Sequence, residues 1–351
     1  MAPGSGQLFG PLVESRESVT VRLATGVSRL MRKRRLERLI GSDPGVLDPR
    51  VQPTSRTLGF SHVYVVDQTG EVERWLGSPA SFGALARRPP IDGCQLAIDQ
   101  FHTMLETGSE ALKDTFLVTA STLYEMGHLV TLDRRPCFLM PHFHRAPGYA
   151  DHVTPWLSAR TQGWLGGLFA RAYQLGGDAR YADAAVRAIR PCLVSIERGG
   201  VRGIERTGEI FYEKYAFRGQ ATHVLHGFLS TLLGIWDVAR ATGEPDAHAA
   251  FDQGVAALTT SVLATYDNGS MSLHDQAGDR RLSSQGVIHT WIHAHQLAAL
   301  ARIAGERRFV RWAERWRGYS MSPSHRMVAR ALSPDDGAQG ASAAATVALA
   351  S

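Results

Sequence analysis

Four short turns, each placing a glycine between two runs of helical periodicity, constrain this chain more than any other feature. They are Glu106-Thr107-Gly108-Ser109, Leu175-Gly176-Gly177-Asp178, Ala241-Thr242-Gly243-Glu244 and Ile303-Ala304-Gly305-Glu306. Their glycines lie 69, 66 and 62 residues apart (177 minus 108, 243 minus 177, 305 minus 243), so the chain repeats one unit, a helical hairpin. Each glycine stands where a helix end needs a left-handed residue, and the Ser, Asp or Glu after it suits the start of the next helix. The second helices keep helical spacing, with Leu112, Phe116, Ala120 and Leu123 in the first hairpin and Phe309, Trp312, Ala313 and Trp316 in the last. The fold class this predicts is mainly α: an incomplete α/α toroid, a barrel of helical hairpins, with small β-hairpin elements.

Connectivity then says where chemistry collects. The glycine turns leave little material on their rim, whereas the opposite rim receives the long connections 136–155, 193–220 and 264–286. Nine of the 14 histidines fall in those connections or in the helix turns they enter: His142, His144, His152, His223, His226, His274, His289, His293 and His295. That gathering points to one face.

The predicted organisation is an N-terminal segment, 1–55, with a basic helix; a small β-hairpin region, 56–90; a toroid domain, 91–320; and a disordered tail, 334–351. Ser61 to Leu76 reads as two strands around Gln68-Thr69-Gly70-Glu71, and a second hairpin is expected from Val201 to Phe217. The tail is rich in Ala, Ser, Gly and Asp and poor in bulky apolar groups.

With 351 residues, 44% of them hydrophobic, the chain can bury a substantial core. Its apolar runs are interrupted well before the roughly 18 to 20 residues that span a bilayer. The first residues, MAPGSGQLFGPLVESRES, lack the basic start and apolar core of a secretory signal. Cys94, Cys137 and Cys192 are too few and too irregular for a disulfide framework, so buried thiols in a reducing cytoplasm are expected. Net charge is +5, and part of the excess sits in Arg29 to Arg38, six basic residues against one Glu. Such a helix could touch anionic lipid or nucleic acid, but a solvated surface helix is the expectation, with no nucleic-acid partner and no transmembrane segment. Oligomeric state is not legible.

Five stretches carry a resemblance. They are Trp156 to Tyr173 (WLSARTQGWLGGLFARAY), Phe211 to Phe217 (FYEKYAF), His223 to Glu244 (HVLHGFLSTLLGIWDVARATGE), Tyr266 to Asp275 (YDNGSMSLHD) and His289 to Leu300 (HTWIHAHQLAAL). In order and spacing they resemble the C-terminal domain of D-glucuronyl C5-epimerases, where similar stretches read W-x-S-A-x-x-Q-G, W-Y-E-E-Y, V-L-N-G-F, Y-D-x-G and Y-H-x-x-H-x-x-Q-L. The resemblance implies a racemase or epimerase that takes the C5 proton of glucuronic acid from one face of the sugar and returns one to the other. Its implied partner is a saccharide or glycoside containing uronic acid. Family tyrosines with an adjacent glutamate are implicated in the proton transfers, and the tyrosine that ends W-Y-E-E-Y is Tyr215 here. The family's second Glu in that motif is Lys214, and two other family tyrosines fall on His274 and His289.

The C5 hydrogen is weakly acidic because its carbanion would stand beside a carboxylate, so abstraction needs a cation or strong donors on that carboxylate and a base held close. Histidine titrates near neutrality and suits either proton role. The candidate catalytic residues are therefore Tyr215, His274 and His289. Glu213, Lys214, Arg218, Gln162, His226 and His293 are the candidate substrate-binding residues, with Lys214 or Arg218 neutralising the carboxylate and Gln162 lining the cavity. Lys214 and Tyr215 are neighbours in an expected strand, which would send one of them away from the site. Gly163 is read as allowing close helix packing. No cofactor and no metal are expected. The alternative is a metal held by His289 and His293 at i, i+4, completed by His226 or His274, although no H-E-x-x-H pattern is present. His142-Phe143-His144 in a strand would point both histidines one way. Two other readings stay open: a uronate lyase, which shares the first step, and a non-catalytic toroid that binds an acidic glycan or peptide.

Overall fold

Each of the four glycine turns is a helix C-cap. Gly108, Gly177, Gly243 and Gly305 adopt φ of 69°, 70°, 68° and 64°, the left-handed region that side chains with a Cβ avoid. The next helix starts at once: Ser109 accepts from the Leu112 amide, Asp178 from Arg180 and Glu306 from Arg308. The computed structural model describes residues 81–146, 154–205, 207–276, 284–325 and 327. The expected basic helix at Arg29, the hairpin at Ser61 and the terminal tail lie outside them.

After a short helix, α1 (Phe82–Leu85), the chain forms four helical hairpins: α2 (Pro90–Thr107) with α3 (Glu110–Met126), α4 (Ala159–Gly176) with α5 (Ala179–Ile189), α6 (Leu225–Thr242) with α7 (Pro245–Ala257), and α8 (Ser284–Ala304) with α9 (Arg307–Ser320). The protein is mainly α, as the periodicity predicts. Of the expected β-hairpin region 56–90, residues 81–90 are described, and they are helical or turn. Helix α7 runs on through a π-helical segment, Leu258–Val262, into a last turn, Leu263–Thr265.

The first helices of the hairpins pack in sequence order, α2 on α4, α4 on α6 and α6 on α8. Helices α4 and α6 are buried on nearly every side, whereas α3, α5 and α9 bury one face each, so the chain builds an inner and an outer layer. The α4–α6 contact is backbone on backbone. A Cβ on Gly234 would meet the Gly163 carbonyl oxygen at 1.9 Å, and one on Gly163 would meet the Thr231 Cα at 2.8 Å. Gly163 is a packing residue, as expected. Deeper in the same interface Arg171 Nη1 lies 2.5 Å from Asp237 Oδ2, both side chains fully buried, with the guanidinium carbon 5.3 Å from the Phe101 ring centroid. One cation thus links α2, α4 and α6.

Two antiparallel hairpins fill the connections. β1 (His128–Leu132) pairs with β2 (Arg135–Leu139) through Asp133 and Arg134, both left-handed. This hairpin leads into the long connection 136–155 and carries no usual turn signal, since Asp-Arg stands where Asn-Gly commonly marks such a turn. β3 (Arg202–Ile204) pairs with β4 (Ile210–Tyr212) inside the span expected for the second hairpin. β4 ends at Tyr212, so Lys214 and Tyr215 do not alternate along a strand. Among the described residues no helix is long and apolar enough to cross a membrane. The three cysteines are buried and free, as expected.

Candidate functional site

The N-terminal ends of α4, α6 and α8 lie opposite the glycine turns, and side chains from the connections meet there. Near the start of α6 stands His226; His289 is in the second turn of α8; His274 comes from the loop that follows α7. Ring centroids are 4.2 Å apart for His274 and His289, 5.0 Å for His226 and His289, and 5.1 Å for His226 and His274. One ligand nitrogen from each of the three lies within 4.8 Å of the other two.

Local contacts explain why these rings converge. The His274 carbonyl accepts the Leu225 amide at 3.0 Å, tying the loop to the first residue of α6. Ser272, two residues earlier, donates its amide to the Thr290 hydroxyl oxygen and places its own Oγ 2.7 Å from His293 Nδ1, which ties the loop to α8. His274 Nδ1 lies 2.8 Å from Asp275 Oδ2, which leaves Nε2 as the ring nitrogen that Asp275 does not engage. Burial, with the charges of Lys214, His289, His274 and Arg160 added, holds His226 well below the ordinary histidine range. His293 is lowered likewise, first by burial and then by His274.

Tyr215 is buried in a small cluster with Trp156, Phe217, Val224 and Ala146. Its ring centroid is 5.2 Å from that of Trp156, and Lys214 Nζ sits 4.7 Å from the Tyr215 ring centroid. Burial pushes its phenol up to about 12, Arg160 opposes and Asp275 reinforces, so at neutral pH Tyr215 is a proton donor. A Cβ on Gly227 would meet the Lys214 Cβ at 2.5 Å, which sets Lys214 against the first turn of α6.

The other expected residues are placed differently. Gln162 is fully buried: its Nε2 donates to the Phe138 and Ala188 carbonyls, at 2.7 and 2.8 Å, and its Oε1 accepts the Met140 amide at 3.0 Å. It is a tie between β2, α4 and α5 with its hydrogen bonds spent, not a cavity-lining group. Glu213 is also fully buried. Its Oε2 accepts from the Thr222 amide and hydroxyl and from the His223 amide, and its Oε1 is 2.8 Å from His223 Nδ1. These bonds hold His223 at φ 48°, a conformation costly for a residue with a Cβ, and the Tyr266 hydroxyl fixes its carbonyl from the other side at 2.5 Å. Glu213 therefore shapes the entry to α6. Arg218 is exposed in the turn before Gly219.

Of the nine clustered histidines, four meet: His226, His274, His289 and His293. His142 and His144 do not face one way. His142 is buried, stacked on Trp156 at 4.1 Å with Nε2 2.8 Å from Thr161 Oγ1, whereas His144 is exposed, because the segment makes an isolated bridge in place of a regular strand. His295 bonds the Trp291 carbonyl of its own helix. His152 lies outside the described residues. Of the four histidines named for the metal alternative, His226, His274 and His289 each bring one ligand atom within 4.8 Å of the others, and His293 Nδ1 is engaged by Ser272. Sequence reasoning missed Arg160 and Asp275. Both were within reach, since Arg160 stands inside the W-x-S-A-x-x-Q-G stretch and Asp275 directly follows His274.

The profile of the D-glucuronyl C5-epimerase C-terminus family matches residues 138–318, just over half of the chain. This chain belongs to that family. The C5-epimerase profile covers all four histidines, Tyr215 and α4 to α8. Over 181 residues, 47% of this chain, the protein is 29% identical to the D-glucuronyl C5-epimerase of Caenorhabditis elegans, covering 29% of that protein. It is also 29% identical over 168 residues, 45% of this chain, to an uncharacterized protein of Methanocaldococcus jannaschii, covering 53% of its length. The chain therefore spans less than a third of the one relative and about half of the other. It is a divergent member of the C5-epimerase family.

Proposed function

We propose that this protein is an epimerase-like enzyme that removes and returns the C5 proton of a uronosyl saccharide or glycoside, with the inner helices α2, α4, α6 and α8 as the wall of an incomplete α/α toroid. The observation that carries this reading is the gathering of the His274–Asp275 pair, His289 and the protonated Tyr215 at one end of those helices, in a chain of the C5-epimerase family. The sequential packing of the inner helices supports the toroid, and the buried, unpaired thiols suit a cytoplasmic location.

His274 is the general base. Asp275 orients its ring and stabilises the imidazolium formed when Nε2 takes the C5 proton. The electron pair left on C5 spreads into the adjacent carboxylate, which gains a second negative charge. Lys214, Arg160 and the N-terminal ends of α4 and α6 offset that charge. Tyr215 donates a proton to the opposite face and is reprotonated through His289 from solvent, while the His274 imidazolium releases its proton to solvent, so the cycle closes without an oxidant or a cofactor.

The test is deuterium incorporation at C5, followed by proton NMR and mass spectrometry, when the purified protein meets glucuronosyl oligosaccharides and small glucuronides in heavy water. Incorporation that is lost in His274→Gln and in Tyr215→Phe is the expected result. A C4–C5 double bond in the product would turn the reading into the lyase. Absence of exchange with every uronate, while the protein still binds them, would leave a binding module.

A further inference from the structure

We infer that His226, His274 and His289 form a binding site for a divalent transition metal of the Zn2+ class, and that an ion held there switches off proton transfer at this site. The first half stands on ligand geometry alone; the inhibitory half rests on the C5 reading above.

The geometry is specific in three ways. First, the three side chains come from separate elements, α6, the loop after α7, and α8, yet one nitrogen from each lies within 4.8 Å of the others. A tetrahedral ion with metal–nitrogen bonds of about 2.0–2.1 Å needs nitrogens about 3.3–3.5 Å apart, so small ring rotations suffice. Second, His274 already carries the outer contact that metal-bound histidines carry, Nδ1 on the Asp275 carboxylate at 2.8 Å, which fixes the tautomer and leaves Nε2 to meet an ion. Third, His226 is 6% exposed and its Nδ1 has no hydrogen-bond partner among the described residues. A buried imidazole nitrogen without a partner costs free energy that a bound ion would recover.

The donor set selects the ion. Three imidazoles with the nearest carboxylate behind one of them suit zinc, cobalt, nickel or copper; calcium and magnesium prefer shells of oxygen. Three protein ligands also leave a fourth position, the arrangement of a site that can bind an exogenous oxygen. A uronate carboxylate fits it. The lone pair that Nε2 of His274 gives to the ion is the one that would take the C5 proton, so a loaded site and a working base are alternatives.

The experiment is cobalt titration of the full chain without substrate, read by visible absorption. One equivalent should bring up the intense d–d bands of a tetrahedral ion, and Zn2+ should displace them. His226→Ala, His274→Ala and His289→Ala should each weaken binding more than Asp275→Asn, for which about 10–100-fold is expected. His144→Ala, at an exposed histidine, should change nothing. Because an alanine variant can misfold, His274→Cys provides a second readout: a ligand at that position adds thiolate-to-cobalt charge-transfer absorption. Lack of tetrahedral bands in the wild-type protein, or bands that persist in the three alanine variants, overturns the site. The inhibitory half is read separately, as C5 exchange that falls in proportion to zinc loading and returns with chelator. Exchange unchanged at full occupancy overturns that half alone, and absence of exchange before any metal is added overturns the C5 reading while the cobalt spectrum still decides the site.

Discussion

His274 and Asp275, adjacent in sequence, are joined side chain to side chain, Nδ1 to Oδ2 at 2.8 Å, in a loop whose backbone is tied to α6 at Leu225. The carboxylate fixes the ring's tautomer and orientation. Asp275→Asn keeps the size of the group but removes its charge. We predict that C5 exchange then falls by roughly 10²–10⁴-fold in kcat, the scale of general-base catalysis, with a smaller change in KM. A change confined to KM would show that Asp275 acts on binding alone.

The α4–α6 crossing makes a stability prediction with an internal control. Gly234→Ala forces a methyl into the Gly163 carbonyl and should cost about 1–3 kcal/mol or more. Gly318→Ala, in α9, meets nothing within 4 Å and should stabilise by about 0.4–1 kcal/mol. Urea unfolding of both variants reads the difference.

Arg171 and Asp237 should behave as a buried pair. Removing one partner, as in Asp237→Ala, leaves an uncompensated charge among α2, α4 and α6 and is expected to cost about 3–5 kcal/mol. Replacing both with apolar residues of similar volume should cost less than either single change. A double variant as unstable as the sum of the singles would contradict this.

His142 supplies an acid limb to the stability curve. Burial, with His144, Lys214 and Arg160 added, lowers it to about 3 from an ordinary value of 6.5. Between those values the unfolded chain binds a proton that the folded chain refuses, so stability falls as pH drops from about 6.5 towards 3. His142→Phe keeps a ring on Trp156 without a titrating nitrogen, and thermal melts across that window should show a shallower acid decline.

Tyr215 acts at the other end. Its phenol, raised to about 12 from 10.0, stays protonated in the folded state where the unfolded chain has begun to ionise. Its contribution to stability is complete below pH 10 and is lost as pH rises through about 12. Denaturant midpoints between pH 9 and 11 should fall less steeply in Tyr215→Phe than in the wild-type protein.

Much of the scaffold was legible because it follows from local backbone chemistry. A glycine before Ser, Asp or Glu and between two 3.6-residue periods has few ways to fold, and all four such turns are left-handed caps. The β1–β2 hairpin was not legible, since Asp133 and Arg134 hold left-handed conformations that glycine usually signals.

By itself the sequence determined the helical hairpins, the end of them that carries the long connections, and the family. Tertiary structure alone decided which histidines meet and what their neighbours do. His289 and His293 share a helix face at i, i+4, yet His274 and His226 come nearer to His289 than His293 does, because the loop after α7 is anchored to both α6 and α8. Glu213 and Gln162 looked like site residues by position, and both are consumed in holding backbone. Helical periodicity is a property of neighbours along the chain. The assignment of a buried polar group's few hydrogen bonds depends on whatever the rest of the fold brings within 3 Å, and no spacing in the sequence records it.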